Sequence, residues 1–238
     1  MTIRVLLADD QEMVRRGMRR ILEAQTDIEV VGEAVDGVDA LAAARRLRPD
    51  VALVDVRMPR MDGLEVTRTL QATSAELPVK VVVVTTFDLD EYVYPALRYG
   101  AVGFLLKRSG PALLVEAVRA AVAGDSLISP SVTVRLLKHV TGERRTAPPA
   151  TGAPRLPSPS AELPPMVEKL TKREIEIAAK VAEGLTNVDI ADAMFITPGT
   201  VKTHVASVQR KLGVRNRVGI AVRAWEMGYA TGALGGPA

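Results

Sequence analysis

The chain has 238 residues, no cysteine, two histidines and a formal net charge of +3. Without cysteine it has no disulfide framework, no Cys-ligated metal site and no thiol catalysis, and two histidines argue against a multi-histidine metal centre. The first apolar run is too short for a signal peptide and no run reaches the ~20 residues of a membrane span, so we expect a cytoplasmic protein with no membrane partner.

A proline-rich segment divides the chain. Seven of the fifteen prolines lie between residues 146 and 165, among alanine, serine and glycine. Such a segment cannot carry a hydrogen-bonded ladder or bury a core, and it is typical of an extended linker. We therefore predict a front domain over residues 1–125, a helical extension and proline-rich linker over 126–167, and a smaller back domain over 168–238.

The charges are unevenly distributed on the two sides of this linker. Residues 1–140 hold 18 basic and 19 acidic residues, whereas residues 166–238 hold 10 basic and 7 acidic ones. No Asp or Glu occurs from residue 193 to residue 225, a window that contains six Lys and Arg residues and His204. Because DNA repels carboxylates and rewards Lys and Arg through counterion release, this window favours DNA binding by the back domain.

The front domain alternates five Val/Leu/Ile-rich runs with five amphipathic segments. The runs predict strands over residues 3–8, 28–34, 51–56, 79–87 and 101–107. The amphipathic segments predict helices over residues 12–24, 38–47, 64–71, 89–99 and 111–123. Strand–helix repeats with right-handed crossovers imply an α/β doubly wound, five-stranded parallel sheet with helices on both faces.

Chemically useful side chains stand at the carboxyl ends of these strands, where ligands bind in open parallel sheets. Asp9 and Asp10 end the first strand, Asp55 the third, Thr85 the fourth and Lys107 the fifth. A single Asp at a strand end is most often a turn former or a helix cap, but five suitable residues at one edge are much more specific. Three carboxylates attract a hard cation such as Mg²⁺, and a nearby lysine suits phosphoryl transfer onto a carboxylate.

These residues make the front domain similar to the CheY-like receiver domain of two-component response regulators, a flavodoxin-like fold. The similarity rests on Asp9-Asp10, Asp55-Val-Arg-Met-Pro-Arg-Met-Asp-Gly63, Val84-Thr85-Thr86 and Gly103-Phe-Leu-Leu-Lys107. It implies that Asp55 accepts a phosphoryl group from a sensor histidine kinase. It also implies that Asp10, Asp55 and the main-chain carbonyl of Arg57 bind Mg²⁺ directly, with Asp9 acting through water.

The same resemblance implies a switch formed by three residues of the fourth and fifth strands. Thr85 and Lys107 would contact the phosphoryl oxygens, and Phe104 would change rotamer as Thr85 moves; the alternative for Phe104 is a plain core aromatic. Two positions depart from the commonest receiver pattern, Arg108 where many receivers have proline and Thr86 where many have alanine.

The back domain shows helical spacing throughout, over residues 172–183, 187–194, 199–212 and 216–227. The second and third segments, separated by four residues, fit a helix-turn-helix whose second helix enters the major groove. Any small helical bundle can imitate this spacing. The acid-free basic window favours the DNA-binding interpretation.

This domain resembles the LuxR-type helix-turn-helix, and the two domains together resemble the NarL/FixJ class of response regulators. The similarity rests on Leu170-Thr-x-Arg-Glu174, Asp189-Ile-Ala191, Thr200-Val-Lys-Thr-His204 and Lys211-Leu-Gly-Val214, among others. It implies a groove-facing side formed by Lys202, Thr203 and Ala206. The resemblance and the basic window add six further DNA-binding candidates: Thr200, Asn187, Lys211 and Arg217 at phosphates, together with His204 and Arg210.

The implied function is a DNA-binding transcriptional regulator, phosphorylated on Asp55, in which phosphorylation controls dimerisation and promoter binding. Its partners would be double-stranded promoter DNA, a sensor histidine kinase and a second copy of the chain. It would take a phosphoryl group onto its own Asp55 and slowly lose it, without being a turnover enzyme. Two alternatives stay open: a receiver with a protein-binding output, and an aspartate-nucleophile phosphohydrolase, although such enzymes usually carry Asp-x-Asp on the first strand.

Overall fold

The structure is a computed structural model and describes residues 2–86, 90–128 and 167–229. Its strands are β1 (Ile3–Ala8), β2 (Ile28–Ala34), β3 (Val51–Val54), β4 (Lys80–Thr85), β5 (Gly103–Leu106) and β6 (Leu127–Ile128). The helices of the front part are α1 (Glu12–Glu23), α2 (Gly37–Leu47), α3 (Gly63–Ala72), α4 (Asp90–Tyr99) and α5 (Pro111–Ala123). Those of the back part are α6 (Lys172–Ala182), α7 (Asn187–Met194), α8 (Pro198–Leu212) and α9 (Arg217–Glu226).

The front part is one parallel sheet covered by helices on both faces, as its repeating sequence predicts. The strand order is β2-β1-β3-β4-β5-β6, and every neighbouring pair is parallel. Alternate residues of each strand enter different cores, so that Leu6 and Ala8 pack on one face and Val5 and Leu7 on the other. The chain reverses its direction of winding between β1 and β3, which makes their carboxyl ends the expected ligand-binding edge.

The sheet has one short strand more than the five predicted. The sequence prediction places a helical extension after residue 125, but Leu127 and Ile128 form β6 beside Gly103 and Phe104. Gly103 permits this pairing because a Cβ there would lie 3.0 Å from the Leu127 carbonyl oxygen. Ile128 then packs against the apolar core. The remainder of the predicted extension and linker, residues 129–166, lies outside the described residues.

Over residues 167–229 the back part is a bundle of four helices, and local hydrogen bonds set several of their ends. Thr171 and Glu174 form a capping box at the start of α6, and Thr197 caps α8 through its side chain. Gly213 ends α8 in a left-handed conformation. The apolar spacing of α8 predicts one buried face, and its four residues Val201, Val205, Val208 and Leu212 are all buried. Within the described ranges, no helix has the length and apolar character required to cross a bilayer.

Candidate functional site

The acidic residues predicted from the strand ends lie together. Asp9 and Asp10 follow β1, Asp55 follows β3, and one carboxylate oxygen from each lies within 4.8 Å of the others. Asp9 and Asp55 are buried, whereas Asp10 is exposed. The cluster therefore has a closed, low-dielectric floor and one carboxylate at its solvent-facing mouth.

Lys107 joins the two buried carboxylates. Its Nζ lies 2.8 Å from Asp55 Oδ2 and 2.6 Å from Asp9 Oδ2. Burial alone would lower the pKa of Lys107, but the Asp55 and Asp9 carboxylates hold it above its ordinary value. The lysine therefore stays charged and offsets part of the repulsion between the acids.

The hydrogen bonds of the carboxylate oxygens leave the cluster suited to a divalent cation. Asp9 Oδ1 accepts a hydrogen bond from the Gln11 main-chain N–H at 2.9 Å, and Asp55 Oδ1 accepts one from the Val56 main-chain N–H at 2.7 Å. Among the described residues, Asp9 Oδ2 has no hydrogen-bond partner of regular geometry, only the ion pair with Lys107. Burial raises the pKa of Asp9, and the ion pair with Lys107 and the hydrogen bond from Gln11 oppose this only in part. A set of hard oxygen donors that is still under-neutralised fits a metal of the Mg²⁺ type.

Thr85 and Phe104 lie on the strands beside the cluster. Thr85 ends β4 with its side chain buried, and its carbonyl oxygen accepts a hydrogen bond from the Lys107 main-chain N–H at 2.8 Å. Phe104, on the neighbouring strand β5, is fully buried in the core. This placement agrees with both interpretations of Phe104, the switch and the core aromatic.

The loop between β3 and α3 forms one wall of an open cleft at the mouth of the cluster. The cleft has a volume of about 480 Å³, and its lining includes Asp10, Arg57 and Tyr92. The Arg57 guanidinium donates to the Tyr92 hydroxyl at 2.9 Å and lies 5.8 Å from the ring centroid. The loop returns so closely that a Cβ on Gly63 would lie 1.9 Å from the Asp55 carbonyl oxygen. Only glycine allows this approach.

Two arginines that no sequence motif indicates hold this edge together. Arg60 donates to Asp36 at 2.6 Å and pairs with Asp39 at 2.9 Å, which ties the cleft loop to the start of α2. Arg15 is buried and donates to the Asp9 carbonyl oxygen at 2.7 Å, while it also pairs with Glu33. An arginine in a predicted helix or loop is most simply a solvent-exposed residue. The sequence therefore does not indicate that Arg60 and Arg15 make these contacts.

The second candidate site is the face of α8 that the basic window predicts. Helices α7 and α8 are joined by a short turn at Phe195 and Ile196, and Thr197 caps α8. The α8 side chains on the outer face are exposed: Thr200, Lys202, Thr203, Ala206 and Arg210. His204 is half-buried. The groove-facing residues predicted by resemblance therefore share one accessible helix face.

Three of the predicted phosphate-contacting residues are instead held by protein partners. Lys211 donates to Glu174 at 2.8 Å, and its side chain is 13% exposed. Arg217 is buried and donates to the Asn187 side-chain oxygen at 2.8 Å. Asn187, also buried, donates from its main chain to Asp125 at 3.1 Å.

Glu174 ties α6 to α8. It accepts hydrogen bonds from Ser207 at 2.7 Å and from the Thr171 main-chain N–H at 2.7 Å, in addition to Lys211. Burial would raise the pKa of Glu174, but its hydrogen bonds from Lys211, Thr171 and Ser207 lower that pKa to about 2. The carboxylate is therefore a fixed anchor for the exposed α8 face.

The two parts of the chain contact each other beside α7 and α9. The Asn216 side-chain amide donates to the Leu97 carbonyl at 2.6 Å and to the Ala101 carbonyl at 2.9 Å. Its oxygen accepts a hydrogen bond from the Gly219 N–H at 2.8 Å, inside the first turn of α9. Asn216 was not singled out from the sequence, because an asparagine beside a helix start is most simply a cap.

Comparison with known families agrees with this geometry. The model of the response regulator receiver domain matches residues 5–119, and the model of bacterial regulatory proteins of the luxR family matches residues 168–224. The first range contains the acidic cluster and Lys107, and the second contains α6 to α8 and most of α9.

Similar proteins match nearly the whole chain. The transcriptional regulatory proteins YxjL and LiaR of Bacillus subtilis are each 41% identical, over 90% and 93% of this chain and 91% and 96% of their own lengths. The response regulator VraR of Staphylococcus aureus is 39% identical over 95% of this chain and 98% of its own.

Solved structures of response regulators are also similar to this chain. A LuxR-family two-component response regulator from Aurantimonas sp. SI85-9A1 is 30% identical with a TM-score of 0.55, covering 59% of this chain and 99% of that one. The RcsB response regulator of Salmonella typhimurium, 24% identical with a TM-score of 0.52 over 92% of this chain and 96% of that one, shares the fold. The chain therefore belongs to the two-component response regulators that combine a receiver domain with a LuxR-type DNA-binding domain.

Proposed function

We propose that this chain is a transcriptional regulator whose DNA binding is controlled by phosphorylation of Asp55 by a sensor histidine kinase. One observation carries the proposal: Asp55 belongs to a cluster of carboxylates and pairs with Lys107, at the carboxyl edge of a sheet whose chain continues into a helix-turn-helix. We assign the receiver domain to residues 1–125 and the DNA-binding domain to residues 168–238, joined by residues 126–167. A kinase and promoter DNA as partners imply a cytoplasmic protein.

The proposed chemistry is a transfer onto a carboxylate. An Asp55 oxygen forms a bond to phosphorus while the donor's phosphorus–nitrogen bond breaks and its electron pair leaves with the kinase histidine. Lys107 and the Thr85 hydroxyl contact the phosphoryl oxygens, and Phe104 follows Thr85. We assign Mg²⁺ to Asp10, Asp55 and the Arg57 main-chain carbonyl, with Asp9 acting through water. When bound, it supplies positive charge that offsets the phosphoryl group.

The transfer is tested by incubating the full chain with a small acyl phosphate and Mg²⁺ and measuring the added mass. We expect one phosphoryl group on the wild type and none on Asp55→Asn. The matched control is Asp27→Asn, since Asp27 precedes β2 at the opposite end of the sheet and pairs with Arg119. Incorporation into Asp55→Asn would refute the assignment, as would its loss from Asp27→Asn.

We further propose that α8 enters the major groove of duplex DNA. Its exposed face combines Lys202 and Arg210 with the small side chains of Thr203 and Ala206. Such a face makes few bidentate bonds to bases, so thymine methyl contacts and DNA shape contribute to specificity. The proposed contact surface is completed by Thr200, Asn187, Lys211, Arg217 and His204. Of these, Asn187, Lys211 and Arg217 would have to exchange their present protein partners for DNA.

DNA binding is tested with labelled duplex over a series of salt concentrations. Binding should weaken steeply with salt, because phosphate contacts release counterions. We expect Lys202→Ala to weaken binding about tenfold, in the range of one lost charged contact, whereas Lys172→Ala, an exposed lysine on α6, should change it less than twofold. Salt-independent binding, or equal effects of the two substitutions, would contradict the proposal.

Phosphorylation would act by releasing the contact between the two domains and favouring a homodimer. Asn216 and Asn187 bond to the receiver in the arrangement described above, which supports a closed form without phosphate. A single helix-turn-helix makes few base contacts, so two half-sites bound by a dimer give tighter binding. Sizing by light scattering with and without the phosphoryl donor tests this step, and equal mass and equal DNA affinity in both states would refute it.

A further inference from the structure

One part of the interface between the domains lies at the C-terminal end of α5 and contains an ion pair. Asp125, just after α5, accepts a hydrogen bond from the Asn187 main-chain N–H at 3.1 Å, and its carboxylate lies 3.4 Å from the Arg217 guanidinium. The two side chains of this ion pair are 16% and 9% exposed. The carboxylate is therefore held by donors of the DNA-binding domain in a largely dry position.

The last carbonyls of α5 extend this acceptor surface. The Ala123 carbonyl accepts a hydrogen bond from the Asn187 side-chain amide at 3.1 Å, and the Val122 carbonyl accepts one from Lys202 at 3.4 Å. These are carbonyls at the negative end of a helix, and they face Asn187 at the positive end of α7. The receiver thus presents a carboxylate and two carbonyl oxygens to the DNA-binding domain.

The donors on the other side are among those proposed above to contact DNA. Asn187 and Arg217 were assigned to phosphates and Lys202 to the groove. A main-chain N–H at a helix start, a guanidinium and an ammonium are the groups that proteins present to a phosphate. The same donors cannot serve the receiver and a DNA strand at the same time.

We propose that Asp125 and the carbonyl end of α5 occupy the place of a DNA phosphate, so that the receiver and the DNA backbone compete for the same donors. This inference rests on the proposed DNA binding and deepens it. Duplex DNA is then an effector in its own right: by taking Asn187, Lys202 and Arg217 it opens the protein, even before phosphorylation. The Asn216 contact is uncharged and forms the other half of the interface, so the Asp125 half is the one that a DNA phosphate would replace.

The central test compares Asp125→Asn with the wild type for binding to random-sequence duplex, in the absence of a phosphoryl donor. The apparent affinity of a protein that is mostly closed is reduced by the fraction that is open. Removal of the carboxylate should raise that fraction, and we expect binding about tenfold tighter. Glu116→Gln removes the same charge from the exposed side of α5 and should stay within twofold of the wild type.

The absence of cysteine permits a second measurement that does not depend on affinity. Dyes attached to Ala42→Cys on α2 and Glu183→Cys after α6, both exposed positions, report the separation of the domains by energy transfer. Transfer should fall as duplex is added, with the same midpoint as binding, and should already be lower in Asp125→Asn without DNA.

The outcomes separate this inference from the proposed function. If the phosphorylated wild type binds duplex but Asp125→Asn shows no gain without phosphate, or Glu116→Gln gains equally, the phosphate-mimic inference is wrong and DNA binding stands. If DNA binds without any change in energy transfer, the closed form itself binds DNA and competition is refuted. If no variant binds duplex in either phosphorylation state, both proposals fail.

Discussion

The anchor between α6 and α8 makes a quantitative prediction for Glu174→Gln. Glu174 is 4% exposed and accepts hydrogen bonds from Thr171, Ser207 and Lys211. Glutamine keeps the size of the side chain but removes the charge that faces Lys211. The substitution should therefore loosen the packing of α8 on α6 without creating a cavity.

The lowered pKa of Glu174 sets the size of this effect. The interval between the ordinary pKa of 4.5 and the folded value of about 2 converts to an upper bound of ~3 kcal/mol. Lys211 is 13% exposed, so water replaces part of its lost partner. We expect a loss of about 2 kcal/mol, which lowers the melting temperature of a domain of this size by about 8–16 °C.

The assay is urea unfolding of the full chain, followed by fluorescence. The chain contains one tryptophan, Trp225, which belongs to α9 of the DNA-binding domain. Glu176→Gln is the matched control, because Glu176 lies on the same helix, is exposed and pairs only with Arg173 among the described residues. It should cost less than ~0.5 kcal/mol.

The pH dependence gives the refuting result. Because the folded pKa of Glu174 lies below its unfolded value, its stabilisation is complete above pH 4.5 and is lost as the pH falls towards 2. The stability gap between wild type and Glu174→Gln should therefore shrink over that interval. Equal unfolding midpoints at pH 7, or a gap that stays constant on acidification, would show that the carboxylate does not anchor α8.

Three further predictions concern the receiver. Lys107→Met should lower the free energy of unfolding by about 3 kcal/mol, because two buried carboxylates lose their cationic partner. Added Mg²⁺ should restore part of the lost stability in thermal melts. No response to Mg²⁺ would contradict the metal assignment. Gly63→Ala should destabilise by more than ~3 kcal/mol, because its Cβ would lie 1.9 Å from a carbonyl oxygen; a wild-type melting curve would show that the loop is freer than described. Arg60→Ala should lower the free energy of unfolding by under ~1 kcal/mol, since Arg60 is half-exposed. It should nevertheless lower the Mg²⁺ affinity severalfold in calorimetric titrations, because it releases the cleft loop. Unchanged affinity would limit the role of Arg60 to its pairing with Asp36 at the start of α2.

The sequence alone determined which residues meet at the acidic cluster. In a parallel sheet all strands run the same way, so residues that follow successive strands must share an edge. Asp9, Asp55 and Lys107 could therefore be placed together once the strand–helix repeat was recognised, without any knowledge of distances. The apolar spacing of α8 likewise separated its buried face from its exposed one, because helical periodicity is a local property.

Only the tertiary structure decided how the parts are joined. The hydrogen bonds from Asn216 to the Leu97 and Ala101 carbonyls join residues that are 119 and 115 positions apart in the chain. No local sequence pattern predicts such a pairing. Strand β6 was missed for a related reason: two residues carry no periodicity, and they pair beside Gly103, where a Cβ would crowd the Leu127 carbonyl oxygen. Side-chain partners over long distances follow from the packing of whole elements, and that packing is also what places Asp125 against the donors of the DNA-binding domain.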